Sequence, residues 1–496
     1  MSENLKAKTE PVAARGLIFN EPVIFEIGSP GRMACSLPAC DVPETKLEDL
    51  LPSDEIRESI EGFPELSELD VVRHFTRLSQ WNFSIDTNFY PLGSCTMKYN
   101  PKINENIARL PGFALQHPYA PEEFSQGCLQ LMHDLQEDLK AISGMDHISL
   151  QPAAGAQGEF AGMLMIHAWH ESKGRQRKKV LLPDSAHGTN PASAALCGFT
   201  AVQLPSGPDG LIDLEKLRQT MDEDTAAIML TNPNTLGMFE KDIVEICNIV
   251  HAKGGLVYCD GANLNAVMGK TRMGDMGIDV IHINLHKTFS TPHGGGGPGG
   301  GPIGIKKILE PFLPTPVIEK KDSRYRMNFD RPQSIGKLKA FWGNFGILVR
   351  ACTYIRTLGR TGIREAAESA VLNANYIKAC LKEYYHLPYP GDSLHEVIFN
   401  DKDQGTTTMD IAKTLIDYGF HPPTVYFPLI VKAALMIEPT ESESKETLDQ
   451  FIEAMIEISE RAKKDPDSLH RSPIKSKISR PDEARAARKP ILRWQK

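Results

Sequence analysis

The chain has 496 residues, a formal net charge of −8, and ordinary contents of apolar (41%) and charged (24%) residues. This length exceeds one ordinary hydrophobic core, so we expect a large domain and at least one smaller one. The negative charge argues against nucleic-acid binding, and no apolar run approaches the ~18 residues of a membrane span. The nine cysteines are scattered without a CxxC pair, and the beginning of the chain, MSENLKAKTEPVAAR, lacks the apolar core of a secretory signal. We therefore expect a reduced cytoplasmic protein without a metal site.

The first region, residues 1–120, shows few regular patterns and several turn signals, such as GSPGR, which favours an extended arm. Apolar spacing predicts one helix over residues 67–82. The stretch that follows, NFYPLGSCTMKYNPK (88–102), is polar and contains glycine. This composition is typical of a binding loop, although a simple connector would fit equally well.

The second region, residues 121–340, alternates between strands and helices, as mostly parallel α/β sheets do. The predicted strands cover residues 147–150, 180–182, 201–204, 226–230, 256–259 and 280–285. Unusual residues follow five strands of this region: Gly155 with Ala156 and Gln157, His187, Asn232, Asp260, and Lys287. Ligands bind at the carboxyl edge of such sheets, so five such positions in succession predict a binding site.

The stretch IHINLHKTFSTPHGGGGPGGGPIG (281–304) is the most unusual part of this region. Lys287 and His286 come at the exit of the last predicted strand, and seven glycines around one proline follow. Glycine on this scale loses much backbone entropy on folding, so it needs a reason such as a positive φ or close approach to a ligand.

In the third region, residues 341–496, a long helical stretch starts with 336–359, further helices are predicted at about 363–385, 410–417 and 444–462, and two short strands at 395–399 and 433–438. We expect a smaller α+β domain here. Its end, residues 471–496, is rich in lysine and arginine. A solvated extension explains this basic tail best, and a docking segment for an acidic partner is the alternative.

A lysine in this setting is a candidate for a covalent Schiff base with pyridoxal phosphate. That cofactor needs an anion site, an acid for its ring nitrogen and a face to lie against. The turn at 153–157 opens a helix and suits a phosphate. Asp260 suits the ring nitrogen, His187 the ring face and Asn232 the ring hydroxyl. Each also has an ordinary structural explanation, such as a helix cap or a turn, and only their order along successive strands makes the combination strong.

Two other phosphate-binding classes do not fit. Gly304 is followed by Ile305, Lys306 and Lys307, which does not match a P-loop. No G-x-G-x-x-G follows a first strand, so a nicotinamide dehydrogenase is not indicated either.

Several longer motifs together resemble one family. They are FYPLGSCTMKYNP, QPAAGAQGE, PDSAHGTNPASA, TNPNTLG, YCDGANLNA, NLHKTF, PHGGGGPG and IEPTESESKETLD. In these motifs the chain is similar to the P protein of the glycine cleavage system, a glycine dehydrogenase (aminomethyl-transferring), and its length resembles the second, β-type subunit of the split form. The resemblance implies a fold-type I architecture like that of aspartate aminotransferase, with a mostly parallel sheet in a large domain and a smaller α+β C-terminal domain.

The resemblance also implies roles for individual residues. Lys287 would be the catalytic Schiff-base lysine, Asp260 the ring-nitrogen acid and His187 the stacked residue. Gly155, Ala156 and Gln157 would form the phosphate turn, although Gln157 stands where split-form relatives often have histidine. We also expect His286 and Asn232 to contact the cofactor. The substrate-proximal loop would contain Ser94, Cys95 and Thr96.

The implied reaction is decarboxylation of glycine, followed by transfer of the aminomethyl group to the lipoyl arm of the H protein. The implied partner is a first, α-type subunit, in a heterotetramer of two α and two β chains. The 294–301 glycine run could let the lipoyl arm approach closely. Two alternatives stay open: another fold-type I decarboxylase or aminotransferase, and a non-catalytic scaffold subunit.

Overall fold

The computed structural model describes residues 21–494 except Glu58, Glu61 and Gly296. Residues 1–20 of the predicted arm, one glycine of the 294–301 run and the last two residues of the basic tail therefore lie outside the described residues. The described chain forms two compact units, one from residues 21–83 and 476–494 and the other from residues 84–475. None of its helices combines the length and the apolar character that a membrane crossing requires.

The elements are numbered in chain order. The α-helices are α1 (Glu68–Ser79), α2 (Lys102–Ala108), α3 (Pro111–Ala114), α4 (Gln126–Ser143), α5 (Gly155–Ser172), α6 (Thr189–Leu196), α7 (Leu214–Thr220), α8 (Ile243–Ala252), α9 (Leu285–Thr288), α10 (Phe345–Leu381), α11 (Thr408–Asp417), α12 (Lys445–Lys464), α13 (Pro466–His470) and α14 (Glu483–Arg488). The strands are β1 (His147–Ser149), β2 (Lys179–Pro183), β3 (Thr200–Leu204), β4 (Thr225–Thr231), β5 (Leu256–Gly261), β6 (Val280–Ile283), β7 (Ile303–Ile305), β8 (Val317–Lys321), β9 (Arg324–Asn328), β10 (Val397–Asn400), β11 (Thr424–Val425) and β12 (Ala434–Ile437).

The smaller unit contains α1 and α14. Helix α1 begins after Ser67, whose hydroxyl oxygen accepts the N–H of Asp70 while the Asp70 carboxylate accepts the N–H of Ser67. This reciprocal cap satisfies two backbone donors at the start of the helix. The helix predicted over residues 67–82 is confirmed.

The larger unit is built on a seven-stranded sheet in the order β1-β7-β6-β5-β4-β2-β3. Strands β3, β2, β4, β5 and β6 run parallel, and β7 is antiparallel to both of its neighbours. Every residue of β4, β5 and β6 is buried, as expected for strands covered by helices on both faces. The predicted mostly parallel α/β sheet is confirmed.

Two predicted boundaries are wrong. The strand predicted over residues 280–285 ends at Ile283, and Lys287 lies in the one-turn helix α9, where the N–H groups of Lys287 and Thr288 both bond to the carbonyl of Asn284. The helices predicted over 336–359 and 363–385 form one element, α10, interrupted at Gly359 (φ 61°, ψ −172°). It begins only at Phe345 because the preceding segment contains left-handed turns.

A second, three-stranded antiparallel sheet, β10-β12-β11, belongs to the larger unit. Helices α10, α11 and α12 contribute to its core, in which Phe399 and Phe451 are fully buried. The predicted domain boundaries at residues 120/121 and 340/341 divide this unit further, and they stay a prediction.

Candidate active site

A cavity of about 220 Å³ lies at the carboxyl edge of the parallel strands. Seven residues predicted from the sequence line it: Ser94, Gly155, Ala156, His187, Asp260, His286 and Lys287. A larger groove of about 820 Å³, beside α4 and α10, is lined by none of the predicted residues among those described. We therefore place the candidate site in the smaller cavity.

Lys287 reaches across this cavity to the predicted substrate-proximal loop. Its Nζ donates a hydrogen bond to the carbonyl of Ser94 at 2.8 Å. Ser94 has a left-handed backbone (φ 61°), which is unusual for a residue other than glycine and marks a constrained position. The loop and the lysine are 193 residues apart in the chain, so the fold brings together two motifs that the sequence could only place separately.

Asp260 belongs to a buried polar chain that the sequence did not reveal. In the register of β5 and β6 it lies opposite His282, whose Nε2 is 3.2 Å from its Oδ1. The hydroxyl of Tyr258 is 2.6 Å from the other ring nitrogen, Nδ1. Burial raises the pKa of Tyr258 well above its usual value, so this hydroxyl keeps its proton and can donate to Nδ1. In that tautomer, His282 donates from Nε2 to Asp260.

The surroundings of Asp260 favour its ionised form. Burial acts to raise its pKa, but the neighbouring His282, the positive charge of Lys287 and the N–H of Ala262 outweigh burial and lower it. The N–H of Ala262 donates to Oδ1 at 2.9 Å, and the amide of Asn190 donates to Oδ2 at 3.3 Å. A carboxylate with these partners can face a cationic group of a ligand without taking up a proton.

The predicted phosphate turn is the beginning of the 18-residue helix α5. The residue before it, Ala154, provides no side-chain cap, so the helix dipole and the N–H groups of the first turn can serve an anion. A Cβ atom on Gly155 would lie 2.7 Å from Oδ1 of Asn284, so a larger residue here would displace a side chain that lines the cavity. Asn284 and Thr231 also line the cavity, and each has a buried oxygen without a hydrogen-bond partner. These features fit a polar, anionic ligand.

Two of the residues predicted to contact the cofactor do not line the cavity. The side chain of Gln157 accepts the N–H of Ala153 at 2.7 Å and donates to the carbonyl of Leu338 at 3.0 Å, so it supports the turn from behind. Asn232 is fully buried, and its Oδ1 accepts the N–H of Glu240 at 3.1 Å. The backbone role of the turn is unaffected, but direct contact of these two side chains with a ligand stays a prediction.

His187 lies exposed at the wall of the cavity, where its Nδ1 is 2.8 Å from Oγ1 of Thr189. That hydroxyl donates to Glu159 at 2.8 Å. Glu159 also lines the cavity, and burial raises its pKa. Glu159 was not predicted from the sequence, although a glutamate in the first turns of an otherwise apolar helix was a usable signal.

Two neighbouring histidines are neutral near pH 7. Burial, with the nearby charge of Lys287, lowers the pKa of His286 to about 3 and that of His293 to about 4. Their rings meet edge to face at 5.1 Å.

The glycine run divides into two parts. A Cβ at Gly301 would lie 2.1 Å from the carbonyl of Ala154, so this end of the run must be glycine to pack against the turn. Gly295 and Gly297 are exposed, have positive φ angles and would have open space around a Cβ. A Cβ at Gly294 would lie 1.8 Å from the carbonyl oxygen of Gly297, so close packing explains Gly294 and Gly301 but not Gly295 or Gly297.

The remaining predicted residues, Cys95 and Thr96, follow Ser94. Burial raises the pKa of the Cys95 thiol, which favours its neutral form. Thr96 is fully buried, and its hydroxyl donates to Glu438 at 2.5 Å. Neither residue lines the cavity, so their predicted place near a substrate is not tested by this geometry.

Comparison with known proteins identifies the fold. Residues 157–296 match the aminotransferase class-V family, and residues 366–474 match the C-terminal domain of glycine dehydrogenase. A crystal structure of glycine decarboxylase (P-protein) of the glycine cleavage system in inhibitor-bound form is similar, with a TM-score of 0.72 and 22% identity over 83% of this chain and 95% of that chain. A NifS-like protein has a TM-score of 0.59 and 17% identity over 75% and 99% of the two chains. The fold is thus that of the fold-type I class of pyridoxal-phosphate enzymes, as predicted.

Curated relatives define the family more narrowly. A protein of Bacillus licheniformis named probable glycine dehydrogenase (decarboxylating) subunit 2 is 56% identical over 96% of this chain and 99% of its own length. A Listeria monocytogenes protein of the same name is 58% identical over 96% and 98% of the two chains. The chain belongs to the glycine dehydrogenase (decarboxylating) subunit 2 family. This confirms the resemblance and the prediction of an enzyme, and the term subunit 2 implies a split enzyme with another subunit.

Proposed function

We propose that this chain is the cofactor-bearing subunit of a glycine decarboxylase, which releases CO2 from glycine and passes the aminomethyl group to the lipoyl arm of the H protein. One observation carries the proposal: Lys287 and the ionised Asp260 line one cavity together with the uncapped beginning of α5. Family membership supports glycine as the substrate.

The residues around the cavity fit pyridoxal phosphate. Lys287 would hold it covalently through Nζ, the first turn of α5 would bind its phosphate, and Asp260 would bind its ring nitrogen. His187 is at the cavity wall, where a ring could lie against it. When bound, the cofactor supplies an electron sink for the electron pair that loss of CO2 leaves behind.

The residues of this chain would keep the cofactor ring in the protonated state that accepts these electrons. Asp260 stays negative because His282 and Lys287 lower its pKa and the N–H of Ala262 donates to it. A buried carboxylate in contact with the ring nitrogen would favour the protonated ring, which withdraws electrons more strongly. Tyr258 fixes the tautomer of His282 and therefore the donor that faces Asp260.

The two alternatives make different demands. A decarboxylase or aminotransferase for another amino acid shares Lys287 and Asp260, but the curated relatives at 56–58% identity are named for glycine. A scaffold subunit has no need for the lysine, and Lys287 is present within the polar cavity. Both alternatives are therefore less well supported than the glycine decarboxylase.

The proposed partners follow from the same assignment. We infer a first, α-type subunit in a heterotetramer of two α and two β chains, and a lipoylated H protein as the acceptor. The name of the curated relatives supports a second subunit. Most of the described part of the basic tail is exposed, except for the buried Ser472 and Pro473, which is compatible with either explanation given above.

The test uses purified protein. The wild type is expected to bind pyridoxal phosphate with a visible absorbance band that Lys287→Ala abolishes. Adding glycine, lipoylated H protein and the first subunit should release CO2, and omitting either protein should stop the release. A wild type that shows no such band after incubation with the cofactor contradicts the proposal, and so does equal CO2 release by Lys287→Ala.

A further inference from the structure

Two buried glutamates face each other beside the candidate site. Glu396 directly precedes β10, and Glu438 directly follows β12. Because Val397 and Ile437 are register partners in these antiparallel strands, the glutamates occupy the next opposing positions. Both are fully buried. Ionising both carboxyl groups in this arrangement would cost much free energy, because neither charge is solvated by water and the two charges repel each other.

This carboxyl pair, Glu396 and Glu438, holds the 93–96 loop. Glu396 accepts the N–H of Ser94 at 2.8 Å, and Glu438 accepts the hydroxyl of Thr96 at 2.5 Å. The loop also runs close along β12, since a Cβ at Gly93 would lie 2.1 Å from the side chain of Met436. The loop is therefore fixed by contacts from the small sheet.

The same loop connects the pair to the cofactor lysine. The backbone of Ser94 lies between the two. Its carbonyl oxygen accepts a hydrogen bond from Nζ of Lys287, and its N–H donates one to Glu396. Each glutamate keeps a second, buried oxygen without a hydrogen-bond partner. One oxygen of each and one nitrogen of His395 lie within 4.8 Å of one another. The carboxylate oxygens without partners in this cluster can bind a proton.

We propose that Glu396 and Glu438 share one proton and act as a singly charged pair, which positions Ser94 and stabilises positive charge on the Lys287 nitrogen. The inference rests on the proposed function, because it assigns a task toward the cofactor lysine. A proton fits this place better than a divalent cation, which the positive charge of Lys287 would repel. The pair consists of positioning residues, since it acts on Lys287 through Ser94 and through its charge.

The titration behaviour agrees with one negative charge. Burial raises the pKa of Glu396 well above its usual range, and it raises that of Glu438 to about 7. The charge of Lys287 opposes both shifts. A pair in this state carries one proton near neutral pH, and the remaining charge balances the ammonium group of Lys287.

Several titratable groups near Lys287 keep one state around neutral pH. Asp260 is ionised, the Cys95 thiol is neutral, and burial lowers the pKa of His395 to about 3. His286 and His293 are neutral, as described above. Glu159, His187 and His282 also line the cavity that holds Lys287. These three residues are unchanged in variants of the carboxyl pair, so a shift that appears only when both glutamates are replaced reports the charge of the pair.

The test is a pH titration of the visible absorbance of the holoenzyme, which reports the pKa of the lysine-linked cofactor. Glu396→Gln and Glu438→Gln each preserve the acceptor oxygen for the loop. In either single variant the remaining glutamate no longer shares a proton and supplies the one negative charge, so the pKa should stay within a few tenths of the wild-type value. The double variant loses that charge, and its pKa should fall by one unit or more.

The control is Glu240→Gln. Burial also raises the pKa of Glu240 to about 7, but its partners are Ile212 and Asn234, and it does not line the cavity that holds Lys287. It should leave the titration unchanged. A fall of one unit or more in either single variant, or an unshifted double variant, would overturn the inference while leaving the proposed function intact. A wild type without the absorbance band would instead defeat the proposed function.

A second measurement covers a double variant that fails to fold or to bind the cofactor. Infrared difference spectra of wild type minus each single variant, near pH 7.5, should contain the C=O stretch of one protonated carboxyl group. The shared proton produces this band in the wild type, and the remaining glutamate ionises in the single variant. Absence of the band from both difference spectra would refute the shared proton.

Discussion

Replacing Asp260 by Asn removes the charge that we assign to the cofactor ring and leaves the shape almost unchanged. Asn can still accept from Ala262 and His282 with its oxygen. Its new NH2 group would face the amide of Asn190, whose Oδ1 is buried and without a partner. Rotation of the Asn190 amide would then restore the hydrogen bond. We therefore expect Asp260→Asn to fold normally.

The expected loss is catalytic. Asp260 is only 3% exposed, so water cannot replace its charge. Removing one preorganised electrostatic partner in such a site costs about 3–4 kcal/mol, or roughly 10²- to 10³-fold in kcat. The assay is CO2 release from glycine with saturating cofactor, H protein and first subunit, together with visible absorbance to verify that the cofactor is bound.

Asp279 supplies a matched control. It is also a buried aspartate paired with a histidine, with its Oδ2 2.7 Å from Nε2 of His251 and 2.8 Å from the N–H of Val257, but it does not line the cavity. Asp279→Asn should lower thermal stability and leave kcat nearly unchanged. If Asp260→Asn kept kcat within about threefold of the wild type while binding the cofactor, the role assigned to Asp260 would be refuted.

Three further predictions concern the surroundings of the site. Gly155→Ala places a methyl group 2.7 Å from Oδ1 of Asn284, so the dissociation constant of pyridoxal phosphate, measured by fluorescence titration, should rise roughly tenfold or more; an unchanged constant would contradict the phosphate turn. His286 has a pKa of about 3 in the folded protein and near 6.5 when unfolded. The unfolded state therefore binds more protons between these values, and stability falls as pH drops from about 6.5 toward 3; the Tm of His286→Gln should fall less steeply than that of the wild type between pH 6.5 and 4, and equal slopes would count against a neutral His286. Alanine at both Gly295 and Gly297, where φ is 61° and 128°, should slow aminomethyl transfer to lipoylated H protein at least severalfold if the lipoyl arm needs this flexibility; normal transfer in a stopped-flow assay would rule that role out.

The sequence could indicate that the predicted residues gather at one edge of the sheet because these signals are local. Short apolar runs mark buried strands, and polar residues at or just past the end of a strand lie at the carboxyl edge, where Asp260 and His187 line one cavity. The alternation of apolar residues could not show the local conformation at Lys287. The strand predicted over residues 280–285 ends early and is followed by a one-turn helix, because the carbonyl of Asn284 accepts two N–H groups.

The contacts that were missed depend on register between distant segments. Asp260 meets His282 only because β5 and β6 pair with these residues opposite each other. The carboxyl pair comes from strands about 40 residues apart and contacts a loop some 300 residues earlier. Periodicity in one segment carries no information about such pairings. A histidine in an otherwise apolar strand, five residues before Lys287, was the one signal that could have pointed to His282.

Side-chain direction within a turn was equally beyond the sequence. Gln157 and Asn232 are at the predicted places, yet their amides bond to Ala153 and Glu240 rather than line the cavity. Both residues satisfy backbone groups that would otherwise be buried without partners. The orientation of the two amide side chains is decided by these backbone hydrogen bonds, which the amino-acid composition does not reveal.

The proposed role of Lys287 is tested most directly by locating the lysine that carries the cofactor. Protein incubated with pyridoxal phosphate is reduced with borohydride, digested and analysed by mass spectrometry. If Lys287 is the Schiff-base lysine, the pyridoxyl label is found on the peptide that contains Lys287. A label on the buried Lys98, which bonds instead to Glu441 at 2.7 Å, or no labelled peptide at all, would contradict it.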